Sequence, residues 1–152
     1  MKTYSQVVET FQSASLNHLS INTFAEGDLD DLDATSQNVV YPYIFLRPIT
    51  SPGMNTTTIG TSGTRSLVFE LYSLDVPPLD DSNRLSILSN TEQYIYDIMG
   101  YINLHLQPQR EWTTLQSITP VSEAFNDRAF GWVATLTYTD MAVLDYCAYP
   151  QA

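Results

Sequence analysis

The chain has 152 residues, enough for one domain, and its 43% hydrophobic share supports a core and excludes disorder of the whole chain. The net charge is −11, and Lys2 with five arginines forms no basic cluster, which argues against a free nucleic-acid binder or a ligand of anionic membranes. Cys147 is the one cysteine, so an intrachain disulfide scaffold is excluded.

The opening segment MKTYSQVVETFQSAS lacks the apolar run of a secretory signal, and a soluble protein made in a cytoplasm is expected. Thr3 and Gln6 stand at capping-box spacing, and Tyr4, Val7, Val8 and Phe11 mark one face. The spacing predicts a helix over Thr3–Leu19. Phe24–Gln37 reads as an acidic connector holding Asp28, Asp30, Asp31 and Asp33. Such a density of carboxylates invites a calcium reading. Counted from Asp28, however, Leu32, Asp33 and Val39 fall at the fifth, sixth and twelfth places, where an EF-hand loop needs a ligand, a glycine and a glutamate. A solvated acidic loop fits better.

Val39–Pro48 (VVYPYIFLRP) is predicted to be a strand, with Pro42 at its start or the strand at an edge. Residues 50–64 are rich in Ser, Thr and Gly and read as a mobile loop or an extended hairpin tip. Neither Gly60 nor Gly63 belongs to a phosphate-binding motif. Ser66–Val76 alternates as a second strand, with Leu67, Phe69 and Leu71 on one face.

Pro77 and Pro78 stop that strand, and Asp80, Asp81, Ser82 and Asn83 are candidate N-caps. One helix is predicted from about Asn83 to Leu106, with Leu85, Leu88, Ile95, Met99, Ile102 and Leu106 in its apolar stripe, Tyr94, Ile98 and Tyr101 widening it, and Pro108 beyond its end. The last third reads as a β-hairpin. TLQSITPVSEAF leads to a turn at Asn126 and Asp127, and Gly131 opens a strand with Trp132, Ala134, Leu136 and Tyr138 on one face. Trp132 is expected in the core.

The order helix, two strands, long helix, two strands predicts a single α+β domain over residues 1–152, its antiparallel or mixed sheet packed against the helices. No nucleophile, base and acid form a recognised catalytic set. His18 and His105 fall near helix ends, where a histidine meets the last carbonyls. Cys147 reads as a small buried hydrophobe. The chain is therefore not expected to be an enzyme, and no cofactor or metal is expected.

The layout resembles the neck and tail-completion proteins of tailed bacteriophages, in particular the tail-terminator or ring-forming group. Three stretches carry the resemblance: YPYIFLRP with its polar loop and LVFELYSLDVP, the helix opening DDSNRLSILSNTEQYIYDIMGYI, and the closing FGWVATLTYTDMAVLDYCAYP. It implies a structural virion protein in a homo-oligomeric ring, sixfold or twelvefold, stacked on neighbouring neck or tail proteins. DNA would pass through an acidic lumen that offers its phosphates few counter-charges. Extended faces would be the sites in such a ring. The candidate partner contacts are Met54, Thr57 and Ile59 in the polar loop, expected to order only against a partner, and Asp28, Asp30 and Asp31 in the acidic one. The competing class is a monomeric carbohydrate- or calcium-dependent binding module that uses the acidic loop and exposed aromatics.

Overall fold

The computed structural model describes residues 3–28, 31, 39–49, 54–59, 62–76, 83–105, 111–124 and 129–143. Two helices, α1 (Tyr4–Leu16) and α2 (Arg84–His105), cover one face of a mixed sheet. The strands are β1 (Thr23–Glu26), β2 (Tyr43–Pro48), β3 (Met54–Ile59), β4 (Ser62–Asp75), β5 (Trp112–Ala124) and β6 (Ala129–Val143). The sheet order is β1-β2-β4-β6-β5, with β3 also paired to β4. Only the β1–β2 pair is parallel.

Local chemistry explains the helix starts. Thr3 Oγ1 accepts from the Gln6 amide while Gln6 Oε1 accepts from the Thr3 amide, so the predicted capping box forms. The helix ends at Leu16, three residues earlier than its sequence pattern suggested. In α2 the Ile87 amide bonds to the Asn83 carbonyl, which makes Asn83 the capping residue. The helix runs unbroken through Ser89 and Glu92. Its buried stripe is Ile87, Thr91, Ile95, Ile98 and Ile102, so the predicted face holds from Ile95 to Ile102, and only the first turns differ, where Ile87 and Thr91 are buried and Leu85 is 76% exposed. Thr91 fits this apolar face because its hydroxyl donates to the Ile87 carbonyl at 2.7 Å.

The main core lies between helices and sheet. Val7 and Phe11 of α1 and Ile95, Ile98 and Ile102 of α2 pack on Leu46, Leu67, Phe69, Leu71, Ala134, Leu136 and Tyr138. The Phe11 ring lies 5.3 Å from Phe69 and 6.0 Å from Tyr138, centroid to centroid. Each such buried aromatic contributes about 1.5–3 kcal/mol, so this trio fastens α1 to the sheet. A second cluster of Tyr43, Phe45, Leu74 and Ala129 fills the opposite face at the β1–β2 corner. Tyr43, Ile44, Phe45 and Leu46 are all fully buried because β2 is covered on both faces.

Two readings need correction, those of Phe24–Glu26 and Trp132. Phe24–Glu26, placed in the acidic connector, belongs to β1, which pairs with β2 from Thr23↔Tyr43 to Glu26↔Leu46. A four-residue strand carries too short an alternation to be read from sequence. Of the two readings of residues 50–64, the extended hairpin fits: β3 pairs antiparallel with β4 from Met54↔Leu67 to Ile59↔Ser62. Its threonines favour strand, although it lacks an apolar face. Pro42 stands at the start of β2, the first of its two predicted placements, and β2 is an inner strand; the Pro42 carbonyl accepts from the Asn22 and Thr23 amides. Trp132 is only half-buried at the core margin. The caps at Asp80–Ser82, the turn at Asn126 and Asp127, and Cys147 lie outside the described residues.

β5 obeys no simple alternation, and the structure shows why. Leu115 pairs with Leu136 and Ser117 with Thr135, so Gln116 is bulged out. The extra residue returns Ile118, opposite Ala134, to the helix side. Gln116 Nε2 donates to Thr137 Oγ1 across the ladder.

Candidate interaction surfaces

β4 carries β6 along its full length on one side, and β3 followed by β2 on the other. At the Ser62 end, α2 stops at His105 and β5 begins at Trp112 opposite Thr139. The ladders of β4 with β3 and β6 continue past that level to Ser62↔Ile59 and Ser62↔Val143. A three-stranded tongue therefore extends about 14 Å beyond the residues that pair with β5, at about 3.4 Å per residue. Among the described residues β3 pairs only with β4, so its outer edge presents unpaired backbone groups.

A polar clamp closes the root of this tongue. Arg65 and Asp140 face each other in register, with Nε to Oδ1 at 3.1 Å and Nη2 to Oδ2 at 2.6 Å. Arg65 is 6% exposed and Asp140 2%. Such a bidentate pair is directional, so it fixes register as well as charge. The adjacent Ser66 and Thr139 hydroxyls lie 3.2 Å apart. Glu111 is buried nearby. Burial pushes the Tyr138 hydroxyl far above its ordinary pKa, and the neighbouring Glu111 carboxylate adds to the shift. Asn103 joins the layers here, its Oδ1 accepting from the Thr113 amide at 2.7 Å while its Nδ2 donates to the Thr113 carbonyl at 3.2 Å.

Met54, Thr57 and Ile59 stand on β3 opposite Leu67, Thr64 and Ser62. Asp28 and Asp31 are exposed after β1, on the same side of β4 as β3. Their carboxylates are engaged locally. The Asp28 amide donates to Asp31 Oδ2 and the Asp31 amide to Asp28 Oδ1, both at 3.0 Å. This reciprocal pair gives both acids a conformational role. Asp30 lies outside the described residues. Among the described residues no group of three or more His, Cys, Asp or Glu is placed to share a metal ion.

A pocket of about 380 Å³ lies where the end of α1 meets α2 and is lined by Ala14, Asn17, His18, Leu19, Asp97 and Tyr101, among others. His18 Nδ1 accepts from the Ser20 amide at 3.1 Å, so Nε2 carries the proton and donates to Asp97 Oδ2 at 2.8 Å. Asp97 Oδ1 accepts from Gln93. Both ring nitrogens are occupied, and neither is free to take a proton from a substrate. His18 is a strut between α1 and α2. His105 stacks on Tyr101 with centroids 4.6 Å apart. His18 thus bonds the Asp97 side chain and the Ser20 amide rather than the last carbonyls of α1, while His105 stands in the last turn of α2.

No protein-family model matches this chain, and no curated protein matches it either.

Proposed function

We propose that this chain is a structural subunit of a tailed-bacteriophage particle that closes into a homo-oligomeric ring, sixfold or twelvefold, at the head–tail junction or the tail end. The observation that carries this reading is the clamped tongue of β3, β4 and β6, which extends past the start of β5. A projecting edge with open backbone groups is suited to adding a strand to a neighbour, and the buried Arg65–Asp140 pair holds it at a fixed angle. A ring needs such a heterologous contact, in which one surface of each copy meets a different surface of the next. The net charge of −11 suits a channel wall, because passing DNA finds few cations to bind. In this reading the protein works by shape, with neighbouring neck or tail proteins as its further partners.

The test is immunogold electron microscopy of tailed particles from cells that make the protein, together with negative-stain images of the purified chain. Gold at the neck or tail end and annular particles of sixfold or twelvefold symmetry are expected. Complete tailed particles without label at either place would overturn the proposal.

A further inference from the structure

Charge is distributed unevenly over this acidic molecule. Across the 22 residues of α2 only Arg84, Glu92 and Asp97 are charged. Glu92 accepts from Tyr96 and Asp97 is held by His18 and Gln93. The outward side of the helix carries Ser86, Ser89, Asn90 and Gln93, with Leu85 76%, Tyr96 41% and Leu104 75% exposed. A surface helix in a protein of charge −11 normally turns many charged residues to water, and an outer face that carries few charges and exposes Leu85, Tyr96 and Leu104 suits a contact.

The opposite broad side of the sandwich shows the same bias. Where β4, β6 and β5 turn away from the helices, the register aligns Thr114 with Thr137, Ser117 with Thr135 and Thr119 with Val133. These positions are exposed or half-buried. Arg47 and Glu70 bring charge to this side and cancel each other in a 3.0 Å ion pair. Two copies carrying −11 each repel over most of their surfaces, and these two sides are where they can meet without that cost.

Resting on the ring reading, we infer that the occupant of the sheet back is a second copy of this chain, which docks the outer face of its α2 onto Thr114, Thr135 and Thr137. One broad side of each subunit then meets the other broad side of the next, which is the head-to-tail relation a ring requires. An isologous dimer would instead pair like sides. The helix offers a stripe about 33 Å long at 1.5 Å per residue. A single stripe is small beside the roughly 800 Å² per partner of a standard interface, so the tongue would add to each contact and closure of the ring would hold the assembly together.

In a Cys147→Ser background, Ser89→Cys places a thiol on the helix side and Thr114→Cys one on the sheet back. The two sites lie on opposite sides of the sandwich, beyond reach of a short bis-maleimide linker within one molecule. Each variant is first checked for an unchanged melting transition. After cross-linking at high concentration, the double variant should give a ladder of dimers and higher multiples on a denaturing gel, while each single variant stays monomeric. A strong dimer from either single variant would mean that like sides meet and would overturn the inference. Absence of a ladder while the protein forms rings by microscopy would overturn this interface and leave the ring reading standing. Absence of both would remove the two together.

Discussion

Trp132 donates its indole N–H to the backbone carbonyl of Leu88 at 2.7 Å, a direct bond from the sheet to the first turns of α2. This bond explains why a residue expected in the core sits half-exposed at its margin. Tryptophan combines a large apolar body with one polar group, and the margin satisfies both.

Trp132→Phe should keep most of the packing and lose the bond, at a cost of about 1 kcal/mol. Trp132→Ala should cost more, yet less than the roughly 3–5 kcal/mol of a fully buried tryptophan. Urea denaturation of the three proteins would check the order. A full core-sized loss in Trp132→Ala would contradict the marginal placement.

The Arg65–Asp140 clamp should show strong non-additivity. Arg65→Met leaves a carboxylate almost wholly buried without its partner and should cost about 3–5 kcal/mol. Asp140→Leu should cost a similar amount by stranding the guanidinium. The double variant should recover much of the loss, since an apolar pair can replace an ion pair in a dry site. A double-mutant cycle measures this coupling, and a simple sum of the two losses would argue against a buried bidentate pair.

Two glycine substitutions should have opposite signs. A Cβ on Gly131 would lie 1.8 Å from the Ser73 carbonyl oxygen, so Gly131→Ala must push β4 and β6 apart and should cost about 3 kcal/mol or more. A Cβ on Gly100 meets nothing within 4 Å, and alanine there should stabilise α2 by about 1 kcal/mol through helix propensity. Thermal melts of both variants would decide. Equal effects would mean that the close approach at Gly131 is absent in solution.

Asp75 gives a pH dependence. Burial pushes its carboxyl above the ordinary pKa, and the bond that Oδ1 accepts from the Val76 amide only partly opposes that shift. A carboxyl with a raised folded-state pKa destabilises the fold above that pKa and is neutral below the unfolded value. Asp75→Asn keeps the acceptor and removes the charge. It should therefore raise the melting temperature at pH 7 and have no effect near pH 3. An equal gain at both pH values would show that charge is not the cause.

The capping box at Thr3 and Gln6, the alternation of Leu67, Phe69 and Leu71, and that of Ala134, Leu136 and Tyr138 could all be read directly from the chain. Each is a local rule satisfied by neighbours in sequence, and each survives folding because the core accepts the same face. The face of α2 from Ile95 to Ile102 could be read as well, but not that of its first turns. Leu85 and Leu88 extend an apolar stripe on paper, whereas the sheet selects Ile87 and Thr91. The short β1 could not be read because it depends on a partner strand for its hydrogen bonds, and the polar stretch holding β3 could be read only as a loop or a hairpin tip for the same reason. Asp28 and Asp31 stood out as acids, while their mutual capping is a matter of geometry.

Residue order alone thus determined an α+β chain built from helix, strands, long helix and strands, with an acidic balance and no recognised catalytic set. Only the tertiary structure decided that a bulge at Gln116 returns Ile118 to the core, that Arg65 meets Asp140 across 75 positions of chain, and that two weakly charged sides lie back to back. Periodicity reports on residues a few places apart, because backbone geometry repeats over that range. Contacts between distant segments depend on register and layer packing, which are fixed only when the whole sheet closes against its helices.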